Sequence, residues 1–201
     1  MITGVKNWND RSVRYEQNEN ATESIIKKVL RENGITKKGW LESCGASAFC
    51  TIMEAMGFLT EADYPVLNGE TIQFDDWIMM YMNDPKRDRI FLKGTTFDNH
   101  VFRNYPKLAE KLFPTCVPVY KHWDWKDITA EITKGHGAQI CLKNPSHYIA
   151  GLAYNDIEDV ILYSDSWTGR KDLVNGGWHE KLTKEDYDDN TFSSSVVYSE
   201  I

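Results

Sequence analysis

The stretch that most constrains the fold is Glu42-Ser43-Cys44-Gly45-Ala46-Ser47-Ala48-Phe49-Cys50, which runs on through Thr51-Ile52-Met53-Glu54-Ala55-Met56 to Gly57. Phe49, Ile52, Met53 and Met56 recur at the three- and four-residue spacing of a helix face, and Gly57 supplies a stop. From Ala46 onward the spacing predicts a buried helix, with Cys44 at or just before its first turn. There the backbone N–H groups point outward, and the positive end of the helix dipole favours an anion. A thiol so placed has its thiolate form stabilised, and the thiolate is the form that attacks carbonyls. Taken alone, Cys44 also fits the role most free cysteines play, that of a small buried hydrophobe.

The rest of the chain is read around this helix. Residues 1–19 read as an irregular polar arm anchored by Trp8 and Tyr15. The cap residues Asn20-Ala21-Thr22-Glu23-Ser24 lead into an amphipathic helix carrying Ile25, Ile26, Val29 and Leu30, which ends at Asn33-Gly34. A loop from Ile35 to Glu42 delivers the chain to Cys44. Turns follow at Ala62-Asp63-Tyr64-Pro65 and Asn68-Gly69. A helix over Phe74–Met82 then aligns Phe74, Trp77, Ile78 and Tyr81, and a charged loop covers Asn83–Arg89. Short helices are expected over Pro106–Phe113 and from Trp123-Asp124-Trp125 through Ile128 and Ile132 to Gly135 and Gly137. After that the pattern changes to strands: Ala138–Leu142, His147–Tyr154, Val160–Tyr163 and Ser194–Tyr198. Helices first and strands later argue for an α+β fold with an antiparallel sheet, not alternating βαβ units. With no internal repeat or low-complexity linker, 201 residues read as one domain.

Composition narrows the function. A net charge of −7 without any Lys/Arg cluster makes nucleic acid and anionic membranes poor partners. No apolar run is long enough to span a bilayer, and Met1–Trp8 lacks the apolar core of a signal peptide. The expectation is therefore a cytoplasmic protein, or one released without a signal peptide. Cys44, Cys50, Cys116 and Cys141 are too few and scattered for a disulfide scaffold, and no CxxC or paired histidines propose a metal. Nor is there a glycine-rich nucleotide cradle. No cofactor is expected.

The second informative stretch is Ser146-His147-Tyr148-Ile149-Ala150-Gly151-Leu152-Ala153-Tyr154, followed by Val160-Ile161-Leu162-Tyr163-Ser164-Asp165-Ser166-Trp167. His147 opens one strand and Asp165 closes the next. If the two pair as a hairpin, the start of one lies beside the end of the other, which brings an imidazole within reach of a carboxylate. Cys44, His147 and Asp165 then supply nucleophile, base and orienting group. Cys50 reads as core, and Ser47 as a weaker alternative nucleophile. Singly, His147 reads as a surface residue and Asp165 as a turn cap; the conjunction is what points to chemistry. Trp167, beside this set, is a candidate substrate contact, and the Trp123/Trp125 pair a weaker one. His100, His122, His136 and His179 read as surface residues.

Ser43-Cys44-Gly45 leading into Ala48-Phe49, Ser146-His147-Tyr148 far downstream, and Asp165-Ser166-Trp167 together resemble the papain-like cysteine peptidases. Papain has Ser-Cys-Gly at its nucleophile and Asn-Ser-Trp-Gly at its third triad position. The bacterial peptidases that cut double-glycine leader peptides are closer still, with Cys-Gly at the helix start, a Gly-His-Tyr-type strand and Asp in the third position. The resemblance spans roughly residues 36–182 and implies a papain-like α+β fold, with the nucleophile helix packed on a C-terminal antiparallel sheet. It implies hydrolysis of an amide bond through a thioester, with Cys44 as nucleophile, His147 as general base and acid, and Asp165 as orienting group. Two positions depart from the pattern. The family has a Gln about six residues before the Cys that helps bind the oxyanion; here that position is Lys38, and losing such a donor costs ~10²–10³ in rate. Lys38, Trp40 or Asn33 are the candidates to fill in. Ser166 stands where the leader peptidases commonly have Pro. A chain with no transporter attached fits a free-standing protease or a peptidoglycan-peptide hydrolase of the phage-lysin kind, acting on a peptide substrate. The alternatives are a catalytically silent papain-like domain that binds a peptide or protein, and an acyl or amide transferase using the same three residues.

Overall fold

A computed structural model of the chain describes residues 1–16, 43–67, 69–83, 104–192 and 194–201. Its centre is helix α1 (Cys44–Met56), ten of whose thirteen residues are buried. A helix enclosed on nearly every side must be small or apolar nearly all round, as this one is. Gly57 ends it in the left-handed conformation, at φ 86°, with its N–H bonded to the carbonyls of Glu54 and Met53. Glycine takes that conformation without a Cβ clash.

One face of α1 lies on a seven-stranded sheet. Its strands run in the order β4 (Cys116–Lys121), β9 (Ser195–Glu200), β5 (Gly137–Leu142), β6 (His147–Asn155), β7 (Val160–Asp165) and β8 (Glu180–Thr183). β1 (Ile2–Gly4) pairs with the far end of β6, and every pairing is antiparallel. A small hairpin, β2 (Val66–Leu67) and β3 (Glu70–Thr71), leads into α2 (Phe74–Asn83), which packs on α1. α3 (Tyr105–Leu112) precedes β4, α4 (Trp125–Thr133) precedes β5, and α5 (Lys184–Asn190) precedes β9.

The sheet is covered on both faces. On one, Phe49, Ile52 and Met53 of α1 meet Tyr148, Ala150, Leu152 and Tyr198. On the other, Ile128 and Ile132 of α4 meet Ile140, Ile149, Ile161 and Val197. Alternate residues of β6 thus serve alternate cores, the two-residue period of a strand. Double burial also explains why β5 and β7 are buried along their whole length, with no alternation of buried and exposed positions. α1 and β5 touch so closely that a Cβ on Gly137 would stand 2.4 Å from Ile52 Cγ2.

The α+β class, the helix at 44–56 and the four predicted strands are all present, with ends shifted by one or two residues. Among the labelled elements six were not predicted: β1, the small hairpin β2–β3, β4, β8 and α5. β4 carries Pro118, which argues against a strand interior; it is tolerated because β4 is the sheet edge. β8 and α5 are too short for a periodic signal. The N-terminal arm is not irregular throughout, since β1 joins the sheet. The predicted helix carrying Ile25–Leu30 and the charged loop beyond Asn83 lie outside the described residues. Among the described residues no helix is long and apolar enough to cross a membrane.

Candidate active site

Cys44 is the first residue of α1, following the cap residue Ser43, and its side chain is only partly buried. The turn that carries it is held from below by Gln139 on β5. That fully buried amide donates from Nε2 to the Gly45 carbonyl at 2.9 Å, while its Oε1 accepts the Tyr198 hydroxyl at 2.7 Å. A Cβ on Gly45 would lie 2.6 Å from the Tyr105 hydroxyl and 3.3 Å from the Tyr148 ring, so any larger residue there forces the buried Tyr105 side chain to shift. Replacing Gln139 by Leu strands the buried Tyr198 hydroxyl and takes the side-chain donor from the Gly45 carbonyl, which keeps only its helix bond. We expect that change to lower stability by about 2–3 kcal/mol in urea unfolding, and to loosen the turn under Cys44.

β6 and β7 pair so that Ile149 stands opposite Asp165, which leaves His147 two residues further along the same hairpin end. His147 Nε2 donates to Asp165 Oδ1 at 2.6 Å, with both side chains buried. Nε2 being committed there, the hydrogen bond between His147 and the Cys44 thiol falls to Nδ1. One imidazole therefore bridges a thiol and a carboxylate. Burial alone would lower the basicity of His147. The charge of Cys44 as thiolate, the hydrogen bonds to Asp165 and Cys44, and the Asp165 charge outweigh burial and push it up to about 9. The Trp167 ring stands edge-on to the imidazole, 5.9 Å between centroids, and is 37% exposed. It covers the pair on one side and still presents a face to solvent.

Asp165 is fully buried, and its polar atoms are taken up as follows. Its N–H donates to the Gly177 carbonyl at 2.8 Å, and its carbonyl accepts Arg14 Nη2 at 2.8 Å. Oδ1 also accepts the Trp167 N–H at 2.8 Å, and Oδ2 accepts Arg170 Nη1 at 2.9 Å. The loop that brings Arg170 and Gly177 to it is itself tied to Glu180, whose carboxylate accepts the N–H groups of Val174, Asn175 and Gly177.

The structure thus places Cys44, His147, Asp165 and Trp167 together. Lys38, Trp40 and Asn33, the candidates for substrate and oxyanion contacts, lie outside the described residues. Ser47, the alternative nucleophile, is fully buried and donates its hydroxyl to Asp75 at 2.7 Å, so no substrate reaches it. Cys50, Cys116 and Cys141 are buried, and burial raises all three thiols, Cys116 and Cys141 to about 12. Trp123 and Trp125 are core, not ligand contacts: both are buried, with Trp125 Nε1 donating to Asp159. Nor do all the remaining histidines stand alone on the surface. His136 meets Glu131 at 2.7 Å, and His179 reaches the Trp8 carbonyl and stacks on Trp178. Among the described residues no cluster of His, Cys, Asp and Glu is suited to hold a metal ion.

No family model matches the chain. No curated protein matches it either. Among solved structures it is similar to a double-glycine motif protease from an AMS/PCAT transporter, crystallised in complex with the leader peptide. The two chains are 10% identical, the match covers 79% of this chain and 84% of that one, and the TM-score is 0.45.

Sequence reading missed Arg14, Gln139 and Arg170. The one available signal was Arg170 with Asp172 in the loop after Asp165, and in sequence that pair is indistinguishable from solvated surface charge. Arg14 lies 151 residues from the carbonyl it binds, and no local pattern reports such a contact.

Proposed function

We propose that the chain is a single papain-like cysteine peptidase domain over residues 1–201, hydrolysing a peptide bond through Cys44, His147 and Asp165. The observation that carries this reading is the His147 imidazole held between the Cys44 thiol and the Asp165 carboxylate. In the proposed reaction His147 Nδ1 takes the thiol proton and the thiolate sulfur attacks the substrate carbonyl carbon. The negative oxygen that develops lies toward the N-terminal end of α1, where first-turn N–H groups and the dipole stabilise an anion. The imidazolium then gives its proton to the departing amine nitrogen, leaving a thioester. A water molecule, deprotonated by the same imidazole, attacks the thioester carbonyl and releases the acid and the thiol. Asp165 holds Nε2–H throughout, so that Nδ1 is the nitrogen free to exchange the proton. The half-exposed face of Trp167 offers an apolar surface for a peptide side chain. Peptides and peptidoglycan peptides are the two substrate classes to assay first.

The test is the pH dependence of iodoacetamide alkylation, read cysteine by cysteine from peptide masses. Cys44 is expected to react at pH 6 at least tenfold faster than Cys50, Cys116 and Cys141, which burial protects. A His147→Ala variant is expected to lose that advantage at pH 6 and regain it only as the pH approaches that of an ordinary thiol, about 8.5. Equal reactivity of Cys44 in both proteins would remove the enzyme reading and leave a domain that binds. A thioester resolved by amines and not by water would make the chain a transferase.

A further inference from the structure

The geometry points to Arg170 as the positioning residue of the proposed triad: its guanidinium holds the Asp165 carboxylate in the rotamer that faces His147. This rests on the catalytic reading above. Asp165 is fully enclosed, and burying a carboxylate is costly unless an opposite charge and hydrogen-bond donors meet it. Arg170 supplies that counter-charge from a side chain only 7% exposed, through Nη1 at 2.9 Å from Oδ2. The remaining edge of the guanidinium is gripped by Asp172, through Nε at 3.1 Å and through Nη2. Asp172 is 65% exposed. Its carboxyl is held below the usual range chiefly by the hydrogen bonds from Arg170. A line of alternating charge therefore runs from Cys44 through His147, Asp165 and Arg170 to Asp172 at the surface.

The division of labour between the two carboxylate oxygens makes Arg170 specific. Oδ1 takes His147 and the Trp167 N–H; Oδ2 takes Arg170. Rotation of the carboxyl would break bonds on both sides, so the fork of Arg170 sets the direction of the Oδ1 lone pairs. Other charged or titratable groups surround Asp165. Arg14 binds its main-chain carbonyl, not its carboxylate. Glu180 on β8 is engaged with three backbone N–H groups, and Tyr163 precedes Asp165 on β7 with its hydroxyl raised by burial. None of these takes the place of Arg170 at Oδ2.

The test compares wild type, Arg170→Gln and Arg170→Lys in the Cys44 alkylation assay from pH 4 to 10, with melting temperatures recorded alongside. In Arg170→Gln the acid limb of the profile is expected to move to higher pH by about one unit, because an Oδ1 no longer held in place supports the imidazolium form of His147, and with it the Cys44 thiolate, less well. Arg170→Lys keeps the charge but cannot reach Asp165 and Asp172 together. Its limb is expected within half a unit of wild type, with the plateau rate reduced several-fold. Should Arg170→Gln fail to fold, the Lys variant carries the test alone. Wild-type limb and plateau in whichever variants fold would overturn the positioning role while leaving the catalytic reading intact. A wild-type protein whose Cys44 alkylation ignores His147 would overturn both. A lowered melting temperature with an unmoved profile would reduce Arg170 to a structural ion pair.

Discussion

A Cys44→Ala variant is expected to lose peptide hydrolysis by a factor on the order of 10⁶, the scale on which deleting a catalytic nucleophile acts. Among the described residues no other group is placed to take over, since Ser47 is enclosed and bound to Asp75 and the remaining thiols are buried and protonated. The same variant carries a second, independent readout in His147. In the wild type its basicity is pushed up to about 9, against burial, and the Cys44 charge is the largest cause acting upward. Without the thiolate, burial is opposed only by Asp165, so the ring is expected to titrate at lower pH when followed by its NMR shift. The consequence for stability has a definite sign. His147 is more basic folded than unfolded, so it contributes stability that is complete below about 6.5 and is lost as the pH rises through about 9. Wild type should therefore lose stability between these values, and Cys44→Ala should lose less over the same window. Unchanged titration of His147 in the variant would mean that the thiol and imidazole are not coupled in solution.

How much of this was legible in the sequence depended on whether a feature was local. The helix at Cys44–Met56 was, because Phe49, Ile52, Met53 and Met56 recur at helical spacing in a run of small and apolar residues that Gly57 ends. His147 and Asp165 were, because one hairpin with a short turn brings the start of a strand beside the end of the next. β4 was not, since Pro118 reads as a strand breaker unless the strand is known to be an edge. The tryptophans mark a second boundary. Trp123, Trp125 and Trp167 are chemically alike, and only their burial separates two core residues from one that faces solvent beside the site. The supports of the site were the least visible. Gln139, Arg14 and Arg170 act on atoms of Gly45 and Asp165 that come close only after the sheet and the loop of residues 166–179 have formed.

That support makes an unusual prediction for Asp165→Asn. The change is nearly isosteric, and an amide oxygen accepts a hydrogen bond from a histidine as a carboxylate does, so by itself it asks little of the site. Here Arg170 and the Trp167 N–H also need acceptors, and an amide offers only one oxygen where the carboxylate offers two. The guanidinium carries the charge and makes the stronger claim on that oxygen. The amide NH₂ is then left facing His147 Nε2, which must accept instead of donate. That places the ring proton on Nδ1, the nitrogen that serves Cys44, and a protonated neutral imidazole there cannot take the thiol proton. Hydrolysis is expected to fall by ~10³–10⁴, the cost of holding a triad histidine in the wrong tautomer. The double variant Asp165→Asn, Arg170→Gln removes the competing claim and lets the amide oxygen turn back to His147. It should therefore be more active than Asp165→Asn alone, although each change by itself is harmful. Strict additivity of the two losses would sink the tautomer argument, because two groups that act through one oxygen cannot contribute independently.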